Sequence, residues 1–480
     1  MNEMNEKSER DNKEYKEYKE YNIEDIKSEV LRRVKPTEEE FIALENMKAE
    51  MKKQVVKNAE MLNISDVIPI SVGSAERKTW LKGSHDIDIF ISFPENISKE
   101  EMCRDGMLIA QKIAKDADEW EDRHAEHPYL HVKTGVFDID IVPCFRVSDA
   151  ANIKSSVDRT PFHCNYLKPR IKGLESDVLL LKQFMKGCGV YGSEVRVAGF
   201  SGYLTELLVL AYGSFENVLK EASAWKPGVL IDLENYGTDK FSDPLVVIDP
   251  TDPNRNVAAA LSLDKFAEFS VCSRHFLRSP SIEYFFDKEN KNEAADAENI
   301  KRKLKELIEK RKTYIFGISA KRPDVTEDTV YPQLYKMEKS LYTVLLKYEF
   351  TPVLSTVYAD DETCYIIFEV FNYELPNIET LNGPPVFNEV NAEKFYQKYI
   401  DDENTYSIFI EDGRYNAQVK RRFPNIKKLI NEKILTEVAL GKDMKESIET
   451  GFKYLDLENI LETDKIELLK NIENKILKKI

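Results

Sequence analysis

With 480 residues, the chain is too long for a single core, since domains typically hold about 100–200 residues. We therefore expect about three domains. Hydrophobic residues make up 42% of the chain and charged residues 32%, which is typical of a globular protein. It contains no apolar run of about 18 residues, and its N-terminus is polar where a secretory signal would be apolar. These features exclude a membrane-spanning protein and predict a cytoplasmic one.

The charge balance limits how the chain could bind nucleic acid. A net charge of −16 and a pI of about 5.2 argue against broad affinity for phosphate backbones, because that affinity depends on Lys and Arg. A local basic face can still bind RNA. Two clusters are candidates: Lys301, Arg302, Lys303 and Lys305, and Arg414, Lys420, Arg421, Arg422, Lys427 and Lys428. For the first cluster, a solvated face balanced by neighbouring Glu is an equally good interpretation.

The six cysteines lie far apart and include no CxxC pair, so neither a zinc site nor a disulfide framework is indicated. We expect them to be reduced and mostly buried. His163 and Cys164 form the one local pair of possible ligands, but zinc needs a second pair nearby.

The N-terminal elements begin after a charged segment over 1–22. Residues 13–21 read KEYKEYKEY, a repeat that favours a solvated tail or a frayed helix. A helix is predicted from Ile23 until Pro36 ends it. Thr37 and Glu40 then form a capping-box pattern ahead of a long amphipathic helix.

An α/β module follows and completes a predicted domain over 23–150. Its short apolar runs cover 67–72, 87–93 and 136–142, with a helix around 102–117. Such runs separated by glycine-containing turns are typical of strands.

The next predicted domain, over 151–286, is mainly helical. Apolar periodicity indicates helices over 178–185 and 202–212. Gly213 ends the second of them, and Ser214 is placed to cap another helix. Beyond about residue 287, the final domain over 287–480 reads as α+β.

This last domain opens with a lysine-rich amphipathic helix. Strand-like runs follow over 313–319, 353–358 and 364–371. Helices rich in Lys and Glu are predicted from there to the end.

The most informative stretch, residues 70–93, reads ISVGSAERKTWLKGSHDIDIFISF. Side chains alternate along a strand, so Asp86 and Asp88 project the same way and could bind one or two Mg²⁺ ions. The intervening apolar side chains then point into the core: Ile87, Ile89 and Ile91. Acids also alternate on many surface strands, so this pattern alone is weak.

Gly73 and Ser74 strengthen the hypothesis, because they form a turn twelve residues before the acid pair. Together with Arg77 they offer backbone N–H groups, a hydroxyl and a guanidinium, which suit triphosphate oxygens. A third carboxylate comes from VFDIDIVPCF, where Asp138 and Asp140 alternate in the same way. One of these two completes a site suited to two-metal phosphoryl transfer.

Together these sequence motifs resemble the DNA polymerase β nucleotidyltransferase superfamily and, within it, the archaeal-type CCA-adding enzymes. The resemblance runs from about residue 37 to 423. It is carried by GSAERKTWLKGSHDIDIF, HPYLHVKTGVFDIDIVPCF, SSVDRTPFHCNYL, KGCGVYGSEVRVAGFSGYLTELL and EDGRYNAQVKRRF. It implies an α+β multidomain fold: a polymerase-β-like nucleotidyltransferase head with a small mixed sheet, a helical neck, and an α+β body and tail.

The resemblance also implies which residues form the site. Asp86, Asp88 and Asp140 would hold two Mg²⁺ ions. The nucleotide contacts would be Ser74, Arg77, His163, Lys182 and Tyr191. Arg255 resembles a family arginine near the incoming base and could read its hydrogen-bonding edge. The alternative for Arg255 is a structural salt bridge to Asp249 or Asp252.

The implied activity is template-independent addition of C, C and A to the tRNA 3′ end, from CTP and ATP, by a homodimer. Alternatives are a related poly(A) polymerase or oligoadenylate synthase, and an inactive RNA-binding relative. The three carboxylates argue against the last. The chain departs from the family at Ala75 and Glu76, where an aromatic and a small residue are common. Glu76 must therefore point away from the triphosphate, or it lowers affinity.

Overall fold

The computed structural model describes residues 22–124, 127–237, 240–286 and 293–477. The chain divides into two compact units, with the division between residues 289 and 290. The repeat over 13–21 lies outside the described residues. Among those described, no helix combines the length and the apolar character needed to cross a membrane.

Two helices open the first unit, and the sequence predicted both. Helix α1 spans Ile23–Val34, and α2 spans Glu38–Met61. The capping box at Thr37 is confirmed: its hydroxyl accepts from the Glu40 N–H at 3.2 Å, and the Glu40 carboxylate accepts from the Thr37 N–H at 2.7 Å. Helix α1 packs against the core of the central helices, whereas α2 packs on the sheet described next.

A five-stranded sheet follows, in the order β1-β2-β5-β4-β3. Strands β2 and β5 are parallel and their neighbours antiparallel. The elements in chain order are β1 (Ile68–Val72), α3 (Gly73–Arg77), β2 (Asp86–Pro94), α4 (Lys99–Ala114), β3 (Glu119–His124), β4 (Pro128–Thr134) and β5 (Phe137–Arg146). The sequence did not predict β3 and β4. Polar side chains fill the edge strand β3, so it shows no apolar run.

The two faces of this sheet are covered to different extents. On one face, Ile87, Ile89 and Ile91 are fully buried against α2 and α4, as predicted. On the other face, burial begins at Phe90 and Val142. The acidic residues that precede them on β2 and β5 therefore lie at an edge that is only partly covered: Asp86 is exposed, and Asp88, Asp138 and Asp140 are half-buried.

Central helices complete the first unit. They are α5 (Thr160–Arg170), α6 (Glu175–Gly187), α7 (Gly202–Tyr212), α8 (Phe215–Ala224) and α9 (Leu263–Arg278). As predicted, Gly213 ends α7 with φ of 80°, and the Ser214 hydroxyl caps α8. A small sheet is added by β6 (Val229–Ile231), β7 (Leu245–Asp249) and β8 (Asp252–Asn256). Strands of three to five residues are too short to show periodicity.

The second unit contains two sheets, in the orders β10-β11-β9-β15 and β12-β14-β13. Its first part runs α10 (Glu293–Arg311), β9 (Tyr314–Lys321), α11 (Glu327–Lys347), β10 (Pro352–Ala359) and β11 (Thr363–Val370). Its second part runs β12 (Ile378–Pro385), α12 (Glu389–Tyr399), β13 (Thr405–Glu411), β14 (Arg414–Lys420), α13 (Ile426–Glu437), α14 (Lys442–Thr450), β15 (Phe452–Asp456), α15 (Leu457–Leu461) and α16 (Ile466–Leu477).

The α+β class of this unit is confirmed, and so are the three predicted strands, which are β9, β10 and β11. The predicted helices beyond these strands are present as α12 to α16, but the prediction missed β12 to β15, which also form in this part of the chain. These strands mix polar and apolar residues, since their sheets leave side chains such as Tyr406 and Ile410 exposed.

A tight contact between α4 and β5 provides a test of the first unit. A Cβ on Gly106 would lie 2.4 Å from Cγ of Pro143. We expect Gly106→Ala to lower the free energy of unfolding by about 1–3 kcal/mol, because overpacking outweighs the gain in helix propensity. Urea denaturation measures this. Gln111→Ala, on the exposed face of α4, should change the free energy by less than about 0.5 kcal/mol.

Candidate active site

The acidic residues of β2 and β5 stand side by side. The parallel register pairs Asp86 with Asp138 and Asp88 with Asp140. Paired residues of neighbouring strands project to the same face. The sheet therefore brings both sequence-predicted acid pairs together at its partly covered edge.

Burial and the neighbouring acids together raise the pKa of Asp88. Burial raises the pKa of Asp88 to about 6, and the charges of Asp140 and Asp86 add to the rise, whereas Arg77 opposes it. Like charges that share a site disfavour ionisation. A cation at this edge would relieve the repulsion.

Gly73 makes the close approach to Asp88 possible. It follows β1 with φ of +75°, and a Cβ at this position would lie 1.9 Å from Oδ2 of Asp88. Only a residue without a side chain can hold the backbone there. Ser74 comes next, partly exposed at the start of α3. The turn predicted to face a triphosphate thus lies against the acid cluster.

His131 was not predicted from the sequence. It lies on β4 opposite Asp140, with Nδ1 2.7 Å from Oδ1 of Asp140 and Nε2 3.3 Å from Oδ1 of Asp138. Histidine–carboxylate contacts fix the orientation of a ligating group. The contact between His131 and Asp140 depends on the register of the β4–β5 hairpin, which the sequence pattern does not reveal.

The three acids are not preassembled as a metal site. Within the described ranges, no group of three His, Cys, Asp or Glu side chains stands in geometry ready to hold a metal ion. Metal binding by Asp86, Asp88 and Asp140 therefore stays a prediction.

Arg77 and Lys182 meet at a buried carboxylate. Nε and Nη2 of Arg77 lie 2.9 and 2.8 Å from Oε2 of Glu206, which is fully buried. Nζ of Lys182 lies 3.9 Å from Oε1 and donates to the carbonyl of Thr79 at 2.9 Å. Burial lowers the pKa of Lys182 to about 8. Lys182 is thus an interior residue next to Arg77.

Tyr191 lies in the same region. A Cβ on Gly202 would come within 3.1 Å of its hydroxyl and 3.8 Å of Nζ of Lys182. Burial raises the pKa of Tyr191, and the charges of Glu206 and Asp86 contribute. Ser74, Arg77, Lys182 and Tyr191 are therefore brought toward the acid cluster.

The other two candidates share a second buried carboxylate, Asp249. Nε2 of His163 and Nη1 of Arg255 each lie 2.8 Å from its Oδ2. The ring of His163 stacks on Tyr203 at 4.0 Å between centroids, and burial lowers its pKa although Asp249 opposes this. The salt bridge considered for Arg255 is therefore present with Asp249. Asp252 pairs with Arg159 instead, at 3.2 Å.

The neighbouring His163 and Cys164 have different surroundings. Cys164 is buried with Val72, Phe90 and Val142, whereas His163 contacts Asp249.

Glu76 points away from the acid cluster. Its carboxylate lies 2.6 Å from Nζ of Lys48 and 2.5 Å from Nζ of Lys168. Burial alone would raise the pKa of Glu76, but these two lysines outweigh it and hold the pKa at about 2. The charge that departs from the family pattern is therefore neutralised.

The basic clusters of the second unit differ in their pairing. In the first, Lys301, Arg302 and Lys303 pair with Glu298, Glu306 and Glu473, which fits a balanced, solvated face. In the second, Arg421 pairs with Glu349 and Arg422 with Glu432. Four further members of the second cluster are exposed: Arg414, Lys420, Lys427 and Lys428.

The pairing of Glu76 predicts how stability depends on pH. A carboxylate whose pKa falls from 4.5 to about 2 on folding stabilises the protein above pH 4.5, and this contribution is lost as pH falls toward 2. Glu76→Gln should therefore lower the free energy of unfolding at pH 7 by about 3 kcal/mol at most. The deficit should shrink below pH 4 in chemical denaturation. The control Glu45→Gln removes the more exposed partner of Lys48. It should change the free energy of unfolding at pH 7 only slightly, and this small change should not depend on pH.

Comparisons with known proteins agree with this geometry. Residues 69–163 match the family model of a nucleotidyltransferase domain, and 176–286 that of the second domain of tRNA nucleotidyltransferase. Residues 311–456 match the C-terminal domain of CCA-adding enzyme. The polymerase-β-like head and the mixed α+β class are thereby confirmed.

Individual relatives extend over most of the chain. The CCA-adding enzyme of Methanosarcina acetivorans is 47% identical over 90% of this chain and 94% of the relative. That of Archaeoglobus fulgidus is 37% identical over 91% of this chain and 96% of the relative. A crystal structure of the Cid1 poly(U) polymerase matches 53% of this chain and 94% of its own, with 15% identity and a TM-score of 0.42. On the identity and coverage of the first two relatives, the chain belongs to the family of CCA-adding enzymes.

Proposed function

We propose that this enzyme adds C, C and A in turn to the 3′ end of tRNA, from CTP and ATP, and releases pyrophosphate without using a template. One observation carries the proposal. Asp86 and Asp88 on β2 pair in register with Asp138 and Asp140 on the parallel strand β5. The backbone of Gly73 lies close to Asp88. The chain that carries this arrangement belongs to the CCA-adding family.

The residues at the sheet edge fit a divalent cation. Asp86, Asp88 and Asp140 offer the carboxylate oxygens that Mg²⁺ prefers. Burial is the main cause of the raised pKa of Asp88, and the charges of Asp140 and Asp86 add to it; a cation would relieve this added repulsion. Two bound Mg²⁺ ions would activate the tRNA 3′ hydroxyl and neutralise the departing pyrophosphate. In this proposal His131 keeps Asp140 in a fixed orientation.

The triphosphate would lie between the acids and the nearby cations. Ser74 would donate its hydroxyl, Tyr191 its phenol, and Arg77 and Lys182 their charges. Phosphoryl transfer needs mainly positioning and charge stabilisation. These groups are suited to that work because Glu206 and the surrounding core hold their side chains.

Base selection would depend on Arg255, and His163 beside it would contact phosphate or ribose. Asp249 holds both, and its own Oδ1 accepts from the N–H and hydroxyl of Thr251 at 2.9 and 2.8 Å. A guanidinium fixed on one side keeps N–H donors for the edge of cytosine or adenine. The salt bridge to Asp249 and the base contact are therefore compatible.

The tRNA would bind through exposed basic residues of the second unit, chiefly Arg414, Lys420, Lys427 and Lys428. Local basic groups allow an acidic protein to bind a phosphate backbone, and helical RNA is recognised largely by shape. The homodimer implied by the resemblance stays a prediction, which light scattering would check.

The central test uses tRNA lacking its last three nucleotides. Purified enzyme with Mg²⁺ should add two C and one A when CTP and ATP are both present. Asp88→Asn and Asp140→Asn should each reduce the rate at least about a hundredfold, since each removes charge that stabilises the transition state. Asp138→Asn is the matched control and should retain most activity.

Each contrary outcome has a defined meaning. Incorporation of ATP alone onto arbitrary RNA would identify a poly(A) polymerase or oligoadenylate synthase instead. A folded wild-type enzyme without any transfer would point to an inactive RNA-binding relative. Equal losses for Asp138→Asn and Asp140→Asn would refute the assignment of Asp140.

The close approach at Gly73 gives a second test. Gly73→Ala places a Cβ 1.9 Å from Asp88, so the carboxylate must shift by more than 1 Å, and we expect a loss of about a hundredfold in rate. Gly83 has a similar φ of +79° but open space around a Cβ. Gly83→Ala should therefore share the backbone strain of about 1–2 kcal/mol without the loss of activity. Single-turnover kinetics would compare the two variants, and equal rates would contradict the proposed role of Gly73.

A further inference from the structure

Glu206 is a buried acid that the sequence did not single out. It lies on α7, is fully buried, and contacts three residues from two other segments of the chain. Arg77 donates to it from the end of α3, the Thr79 hydroxyl donates to Oε1, and Lys182 approaches from α6.

The charge balance around Glu206 is uneven. One carboxylate meets two buried cations, Arg77 and Lys182, and the charge of Arg77 also acts on Asp88. A buried charge is costly unless it is paired and hydrogen-bonded. Glu206 therefore stabilises the two cations that are assigned to the triphosphate.

We propose that Glu206 is a positioning residue that holds Arg77 and Lys182 in place for the nucleotide triphosphate. The inference rests on the proposed function, because that function assigns both cations to the nucleotide. Without the carboxylate, the two cations would repel each other and separate. Lys182 would also lose its proton more readily.

The groups around Lys182 support this role. Glu206 raises its pKa, whereas burial, Arg77 and Lys186 lower it. Tyr191 lies next to it, and burial keeps that phenol neutral well above pH 7. Glu206 is therefore the acidic charge that stabilises the protonated lysine.

The second unit contains a matched arrangement. Glu369 is also fully buried, with Nε and Nη2 of Arg311 at 2.8 and 3.0 Å and the Thr313 hydroxyl at 2.5 Å. None of these residues belongs to the proposed nucleotide site. A substitution at Glu369 therefore reproduces the loss of a buried ion pair without touching the nucleotide.

The experiment compares Glu206→Gln with Glu369→Gln in the full-length enzyme. Calorimetric titration with CTP and Mg²⁺ should show at least a tenfold increase in Kd for Glu206→Gln and less than a twofold change for Glu369→Gln. Both variants should have a lower Tm. Equal effects on Kd, or an unchanged Kd in Glu206→Gln, would overturn the inference.

The pH profile separates positioning from loss of stability. Protonated Lys182 binds phosphate, so CTP affinity should fall as pH rises through about 8 in the wild type. In Glu206→Gln this fall should begin at least half a pH unit lower, because the charge that stabilised the protonated form is gone. A profile that keeps the wild-type midpoint would contradict the role.

A milder pair of variants covers the case in which Glu206→Gln does not fold. Thr79→Val removes one hydrogen bond to Glu206, and Thr313→Val removes its counterpart at Glu369. CTP affinity should fall about threefold in the first and stay unchanged in the second; no difference between them would refute the inference. CTP binding is measured without tRNA, so it is independent of whether wild-type enzyme completes CCA.

Discussion

The in-register parallel pairing of β2 with β5 is the constraint on which the site depends. It places Asp86 beside Asp138 and Asp88 beside Asp140, and such crowding of carboxylates is unfavourable by itself. Alternating isoleucines anchor the strands from the opposite face, so the acids cannot turn inward or slip by one residue without burying charge. Packing of the core on the opposite face thus keeps the four carboxylates close together despite their mutual repulsion.

Two buried carboxylates in the first unit hold the candidate nucleotide-binding side chains. Glu206 engages Arg77 and Lys182, and Asp249 engages His163 and Arg255. Each long side chain is held before any ligand arrives, which reduces the entropy lost on binding. The buried carboxylates of Glu206 and Asp249 therefore fix the orientation of these side chains as well as stabilising the fold.

The sequence predicted those features that depend on neighbours along the chain. Two-residue alternation located Asp86 and Asp88, and the capping pattern at Thr37 located the start of α2. It could not identify Glu206 as the partner of Arg77, because 129 residues separate them. His131 likewise required the register of a hairpin, and the late strands β12 to β15 lack a clear apolar alternation.

The contacts among Lys48, Glu76 and Lys168 constrain the order in which these three residues can be replaced. Lys48 is almost fully buried and Lys168 half-exposed, yet both bind the same carboxylate. An acid at position 76 is compatible with a nearby triphosphate only while these lysines draw it away. Losing either lysine first would leave the carboxylate with one cation instead of two, whereas losing the glutamate first would leave the buried Lys48 ammonium with only the more exposed Glu45 as its partner. The three positions are therefore expected to change together, so that a single replacement taken from a relative would be less tolerated than the set.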